Sequence, residues 1–234
     1  MRNAPGDVKA ILAVSPNNPT GSYLSAIELE QLSAVCRDRR WALVADEVFA
    51  DYPLDASSPL TDIATKADVL SFTLAGLSKS VGLPQVKLGW IVAGGPPPQR
   101  DAALSALELI ADSFLSVSTP VQVALPELLH QGVEIRTAIQ RRTRDNLHAL
   151  RDLARQFPAC DVLRDEGGWS AVIRVPSTRG EGRLVLDLLE REHVLVHPGY
   201  FFDFRSEAFI VISLLPDAAI FRDAIARVLR FANC

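Results

Sequence analysis

The feature that most limits what this chain can fold into is a set of four short apolar runs, each closed by a turn or a polar group. They are "KAILAVSP" (9–16), "WALVADEVF" (41–49), "DVLSFTLAGL" (68–77) and "LGWIVAGG" (88–95). None alternates apolar with polar residues, as a half-exposed strand would. A strand that is apolar on both sides needs cover on both faces, which is the habit of parallel sheets flanked by helices. The stretch between the first two runs reads as such a helix. Ser25 and Glu28 make a capping-box pair ahead of "IELEQLSAVCRDRR", whose apolar positions are Ile27, Leu32, Val35 and Cys36. The first part of the chain is therefore expected to be an α/β layered domain with a mainly parallel sheet.

The pattern changes after Pro98. Residues 99–116 and 119–131 read as helices rich in Ala and Leu, and 133–157 as a long Arg-studded helix ended by Pro158. Beyond it come a hairpin-like pair around Gly167 and Gly168, the helix "GRLVLDLLEREH", short strands at "VLVHP" and "FIVISLLP", and a final helix from about 217 to 231. This is an α+β pattern. The expected division falls within the long helix, with 1–135 as part of a larger domain and 136–234 as a smaller C-terminal one.

Bulk properties narrow the function classes. With 48% hydrophobic and 22% charged residues the chain can bury a core. The net charge is −4 and no basic block interleaves with aromatics, which argues against nucleic acid as partner. No apolar stretch approaches the ~18 residues of a membrane span. The opening "MRNAPGDVKA" lacks the apolar core of a signal peptide, pointing to the cytoplasm. Cys36, Cys160 and Cys234 are dispersed and form no C-x-x-C, so they read as reduced thiols. His193 and His197 would suit a metal if they were one helical turn apart. The β-branched "HVLVH" reads instead as a strand, setting them roughly 13 Å apart at ~3.3 Å per residue, and no metal site is expected.

Ligands of an open parallel sheet bind beyond the carboxyl ends of its strands. Asn18 follows the first run, Asp46 ends the second and Lys79 follows the third. Each alone has a plainer explanation: a turn asparagine, a helix-cap aspartate, a surface lysine. If the three strands are neighbours, an amide, a carboxylate and an amine converge. The lysine is the telling member. Of 24 basic residues only Lys9, Lys66, Lys79 and Lys87 are lysines, and two of them stand in "LAGLSKSVGLPQVKLGW". Lysine, unlike arginine, can lose its proton near neutral pH and attack a carbonyl. Pyridoxal 5′-phosphate has matching needs: an amine for its aldehyde, a carboxylate for its pyridine nitrogen, a donor for its phenolic oxygen and a cation for its phosphate. Lys79 suits the first role, and as a general base it suits moving the substrate α-proton. Asp46 suits the second, Asn18 the third, and Ser78 with Lys87 the fourth.

"SPNNPTG", "ADEVF" and "LSKSVGLPQVKLGW" together resemble the signature blocks of the class I/II aminotransferases, fold type I of the pyridoxal-phosphate enzymes. "VLVHPGYFF" and "FIVISLLP" are similar to that family's small-domain end. The resemblance implies a pyridoxal-phosphate-transferase-like large domain and a small one. It also implies a homodimer with sites at the subunit interface, and amino-group exchange between an amino acid and a 2-oxo acid. Phe49 stands at a cofactor-contacting position where the family usually has a tyrosine. Gly76 stands where a phosphate-binding serine is common, and Lys87 replaces the usual arginine. Val211 stands where an arginine would clamp the substrate carboxylate, leaving Arg174 and Arg205 as candidate substitutes. Trp169 reads as packing or, by the resemblance, as a wall of the substrate pocket. Family members carry a further N-terminal segment. The expectation is thus a truncated member with an exposed sheet edge, an incomplete pocket, weak cofactor binding and slow turnover. A C–S β-lyase with the same cofactor, a non-catalytic ligand-sensing module and a pseudoenzyme that binds nothing remain alternatives.

Overall fold

A computed structural model of the chain describes residues 7–55, 63, 68–114 and 116–233; Met1, Lys66 and Cys234, which entered the sequence reading, lie outside them. The described chain divides into two compact units. The first takes residues up to Ser15, then Tyr23–Asp51 and Pro59–Arg136. The second takes Pro16–Ser22, Tyr52–Ser58 and Thr137 onward. The chain therefore passes from one unit to the other five times: out and back through two short segments, then finally within its longest helix.

The first unit holds a four-stranded sheet in the order β1 (Ala10–Val14), β2 (Ala42–Asp46), β3 (Ser71–Gly76), β4 (Gly89–Gly94). β1 and β3 both run parallel to β2, while β4 is antiparallel to β3. The sheet is mainly parallel, as the apolar runs predicted. Helix α1 (Ala26–Arg39) connects β1 to β2 and opens with the predicted capping box. The Ser25 hydroxyl accepts from the Glu28 amide, and the Glu28 carboxylate accepts from the Ser25 amide at 2.9 Å. The Ser25 hydroxyl also donates to the Glu28 carboxylate at 2.7 Å, and this bond, followed by that from the Ser25 amide, holds the Glu28 carboxyl below its ordinary range. Leu29 and Cys36 of α1 pack on Leu43 and Ala45 of β2, with Ile63 and Val69 beside them. Burial pushes the Cys36 thiol up, away from reactivity. The opposite face of the sheet, carrying Leu12, Val44 and Phe72, is only half covered.

A single helical turn, α2 (Leu77–Ser80), follows β3 directly. After β4 come α3 (Pro97–Ser113) and α4 (Thr119–Gln131). Val121, Leu125, Leu128 and Leu129 of α4 pack against Leu77, Val81 and Leu88. Gly132 just beyond α4 lies so close to Val81 that an added Cβ would stand 2.3 Å from its Cγ1.

The second unit is built on another four-stranded sheet, β5 (Asp161–Val162), β6 (Ser170–Arg174), β8 (Phe209–Ser213) and β7 (His197–Pro198), antiparallel throughout. Helices α5 (Val133–Ala154), α6 (Glu181–Glu192) and α7 (Ala218–Ala232) contribute to one continuous core with it. Leu147, Leu150, Leu188, Ile210, Phe221 and Leu229 lie at its centre. Asn146 is buried in this core and donates to the carbonyls of Leu214 and Pro216, both at 2.9 Å.

One expected strand is corrected. "HVLVH" is not extended throughout: His193 ends α6 in the left-handed conformation, at φ 54°, and only His197 enters β7. The α6 register wins over β-propensity because Leu184 and Leu188 anchor it in the core. Among the described residues no group of three His, Cys, Asp or Glu side chains is placed to hold a metal, and no helix is long and apolar enough to cross a membrane.

Candidate active site

Because β1, β2 and β3 are adjacent and parallel, their carboxyl ends open on one edge of the sheet. Asp46 is the last residue of β2, in register with Val14 and Leu74. Its Oδ1 accepts the Val48 amide at 3.1 Å, turning the chain as it leaves the strand. Two further backbone bonds hold that turn, Glu47 N–H to Leu74 O at 3.0 Å and Ala50 N–H to Glu47 O at 2.9 Å. The Tyr23 hydroxyl donates to Ala50 O at 3.3 Å. The turn fixes Phe49, whose ring centroid lies 5.3 Å from Lys79 Nζ. A protonated amine is attracted to the face of such a ring.

Lys79 reaches this place because α2 begins without a break after β3. Leu77 and Ser80 are buried and anchor the turn, while Ser78 and Lys79 are half-buried on its other side. Gly76, just before it, lies against β4: an added Cβ would meet Gly89 Cα and Leu88 O at 3.1 Å. A glycine here rather than a serine thus has a packing reason. Lys87 stands exposed in the left-handed conformation, φ 58°, after the 3₁₀ turn Pro84–Val86. The first unit therefore gathers Asp46, Phe49, Ser78 and Lys79 at one edge, with Lys87 beyond the 3₁₀ turn.

The comparisons with known proteins decide what this edge belongs to. The family described as aminotransferase class I and II matches residues 1–227. The chain belongs to that family. Among its curated relatives, the glutamate-pyruvate aminotransferase AlaA of Haemophilus influenzae is 27% identical over 231 residues, covering 96% of this chain and 57% of that protein. An alanine aminotransferase of Mycobacterium tuberculosis is also 27% identical, over 96% of this chain and 53% of its own length. The chain thus spans little more than half the length of the curated relatives it matches. A crystal structure of an aminotransferase from Escherichia coli matches with a TM-score of 0.84 at 23% identity, over 99% of this chain and 59% of that one. The aspartate aminotransferase of Thermotoga maritima gives 0.83 at 20%, over 100% and 59%. The family and fold read from the three motif blocks are borne out.

Two of the aminotransferase motif residues lie in the second unit. Asn18 is exposed in a turn built by its neighbours: Asn17 N–H donates to Ser22 O at 2.8 Å, Gly21 N–H to Asn17 O at 2.7 Å, and Thr20 Oγ1 to Asn17 Oδ1 at 2.9 Å. Trp169 is half-buried and meets the Tyr52 ring edge-on at 5.0 Å. Val211, where the sequence resemblance led an arginine to be expected, is buried in the interior strand β8, opposite Val172 and His197. Arg174 donates to Asp161 at 2.9 Å across the β5–β6 pair, and Arg205 is exposed.

Sequence reasoning passed over one residue, Asp165. It is 2% exposed and neither carboxyl oxygen makes a well-formed hydrogen bond. Burial pushes its pKa up to about 8, against the opposing pull of the Arg151 guanidinium and the Val172 amide. "RDEGGW" looks like an ordinary solvated turn, and nothing in its spacing marks the middle charge as buried.

Proposed function

We propose that this chain is the lysine-bearing portion of a pyridoxal 5′-phosphate-dependent aminotransferase, moving an amino group between an amino acid and a 2-oxo acid. The observation that carries this reading is Asp46 and Lys79 at the same end of adjacent strands, with the amine over Phe49, in a chain of this family. The donor set fits the cofactor. Lys79 would hold its aldehyde, Asp46 would keep its pyridine nitrogen protonated, Asn18 would donate to its phenolic oxygen, and Ser78 with Lys87 would hold its phosphate. Bound there, the cofactor supplies an electron sink for the pair left at the substrate α-carbon.

The other roles fall to the chain itself. Lys79, which stands half-buried at the strand end, would serve as the general base that takes the proton from the substrate α-carbon. Phe49 has no hydroxyl to share the phenolic oxygen with Asn18, so a hydrogen bond worth about 0.5–1.5 kcal/mol is missing there. With Val211 buried in β8, the substrate carboxylate depends on another cation. The named activities of the relatives favour alanine, glutamate and pyruvate as the substrate class. The functional form is read as a cytoplasmic homodimer. Trp169 is assigned to the wall of the substrate pocket.

The test is covalent trapping. The protein is incubated with pyridoxal 5′-phosphate, reduced with borohydride, digested and analysed by mass spectrometry. A pyridoxyl group on the peptide carrying Lys79, absent in Lys79→Ala, is the expected result. Labelling spread equally over Lys9, Lys66 and Lys87, or no labelling, overturns the reading.

A further inference from the structure

Asp165 lies where three stretches distant in sequence are tied together inside the second unit. The turn 163–168 precedes β6. Against it lie the 17–21 turn that carries Asn18, and residues 52–54. Glu166 N–H donates to Gly21 O at 3.3 Å, Leu54 N–H to Glu166 O at 2.8 Å and Gly168 N–H to Tyr52 O at 2.9 Å. Pro53 and Gly167 form an isolated antiparallel bridge. The fit around Gly21 is so close that only glycine is accommodated. Its φ is +69°, and a Cβ there would stand 2.7 Å from Gly167 O and 3.3 Å from Asp165 Cα.

We propose that Asp165 is a positioning residue whose protonated carboxyl keeps this junction closed, and thereby holds the Asn17–Gly21 turn with its Asn18 in place. Neither oxygen of the buried carboxyl makes a well-formed hydrogen bond, and the Val172 amide is close enough only to draw the pKa partway back. Neutral, it is tolerated in such a place; ionised, it demands water or a cation. The charged groups near it do not meet that demand. Arg151, on α5, donates only to the Asp165 backbone carbonyl, at 3.4 Å, and from β6 comes only the Val172 amide. Its chain neighbours Arg164 and Glu166 are engaged with each other at 2.8 Å. The 17–21 turn carries no titratable side chain, and residues 52–54 carry only the buried Tyr52, packed on Trp169. β6, α5 and Leu54 belong to the core, and Arg144 Nε on α5 donates to the Pro53 carbonyl at 2.9 Å, whereas the 17–21 turn is tied to the 163–168 turn by the Glu166–Gly21 backbone bond. Opening of the 17–21 turn is the least costly way to hydrate the charge.

The sign follows from linkage. The carboxyl titrates near 8 in the closed junction and near about 3.9 once exposed. Between these values the closed form retains a proton that the open form releases. The stabilisation from Asp165 is therefore complete below about pH 4, declines as pH rises through neutrality, and is gone above about pH 8. The part of the proposal that concerns Asn18 rests on the cofactor reading above; the junction itself does not.

Amide hydrogen exchange of the whole chain between pH 5.5 and 9, corrected for intrinsic rates, tests this with Asp165→Asn and Gly21→Ala alongside. In the unaltered protein, protection at Glu166, whose amide donates to Gly21, falls by about tenfold or more from pH 5.5 to 7.5 and levels near 8. In Asp165→Asn, of the same shape but unable to ionise, protection at this amide is flat with pH. Gly21→Ala, which keeps the carboxyl but breaks the seat, has low protection at every pH. Equal slopes in the unaltered protein and Asp165→Asn would overturn the proposal, as would an undiminished slope in Gly21→Ala. Exchange behaving as expected while Lys79 fails to trap the cofactor supports the junction and removes only its link to cofactor binding.

Discussion

The two sheets of this molecule are made of equally apolar strands and end up very differently buried. In the second unit, Ala171–Ile173 of β6 and Ile210–Ile212 of β8 are all buried: Ala171, Ile173, Ile210 and Ile212 in one core shared with α5, α6 and α7, and Val172 and Val211 on the other face of the sheet. In the first unit, the core is split into two smaller clusters. β1 leaves Leu12 68% exposed, and β4 exposes Ile91 and Val92. Helix α3, of 17 residues, has no buried residue at all, with Leu109 69% exposed and Phe114, just past its end, 73%. Apolar sequence specifies that a strand seeks cover; it does not specify that the cover lies within the same stretch of chain. The second unit satisfies its own strands. The first unit also holds the proposed catalytic lysine and carries the largest unsatisfied apolar surface.

The sharpest test of the contrast is the same truncation on both sides. Ile210→Ala opens a cavity in a close-packed core and should cost about 2–5 kcal/mol. Ile91→Ala, on the exposed face of β4, should change stability by less than about 1 kcal/mol. Denaturant unfolding followed by tryptophan fluorescence separates the two, because Trp169 reports on the second unit and Trp41 and Trp90 on the first. Equal costs at both positions would mean that β4 is as well covered as β8, and the contrast between the two sheets would fall.

Below that in size comes the cap of α1. Ser25 closes a reciprocal pair of bonds with Glu28 at the start of a helix whose inner face supplies Leu29 and Cys36 to a small cluster. Ser25→Ala should cost about 1 kcal/mol. Its effect should appear in the Trp41 and Trp90 signal and leave that of Trp169 unmoved.

The same contrast explains how much was legible in advance. Strands β1 to β4, α1 with its cap and the parallel sheet were readable because each is a local pattern: an apolar run, a serine three residues before a glutamate, a closing glycine. The ends of the long helices were readable to within a few residues for the same reason. Lys79, Asp46 and Asn18 stood out because strand ends are where a parallel sheet exposes chemistry. What escaped was set by contacts between distant segments. Residues 16–22 and 52–55 side with the C-terminal unit, Gly21, Tyr52 and Leu54 through backbone bonds to 166–168, and no composition signal marks such bonds. The burial of Asp165 depends on that same meeting, and so does the need for glycine at 21. His193 was misjudged because β-branched neighbours outvoted a helix that two leucines hold in register.

The smallest expected effect on stability is the most telling about the first unit. Leu109, near the end of α3, and Phe114, just past it, are exposed and belong to none of the clusters that hold the unit together, Leu109 only lining a cavity beside Leu88, Trp90 and Leu125. Replacing both with serine, Leu109→Ser and Phe114→Ser, should shift unfolding by no more than about 0.5 kcal/mol, since surface changes away from packed features seldom do more. Large exposed apolar patches drive association, so the same double change should lower light scattering at high protein concentration. A control double change on the polar surface of the second unit, Arg155→Ser with Arg164→Ser, removes no apolar area and should leave scattering as it was. If the serine pair destabilised the chain by several kcal/mol instead, α3 would be a packed helix, and the first unit would be as self-sufficient as the second.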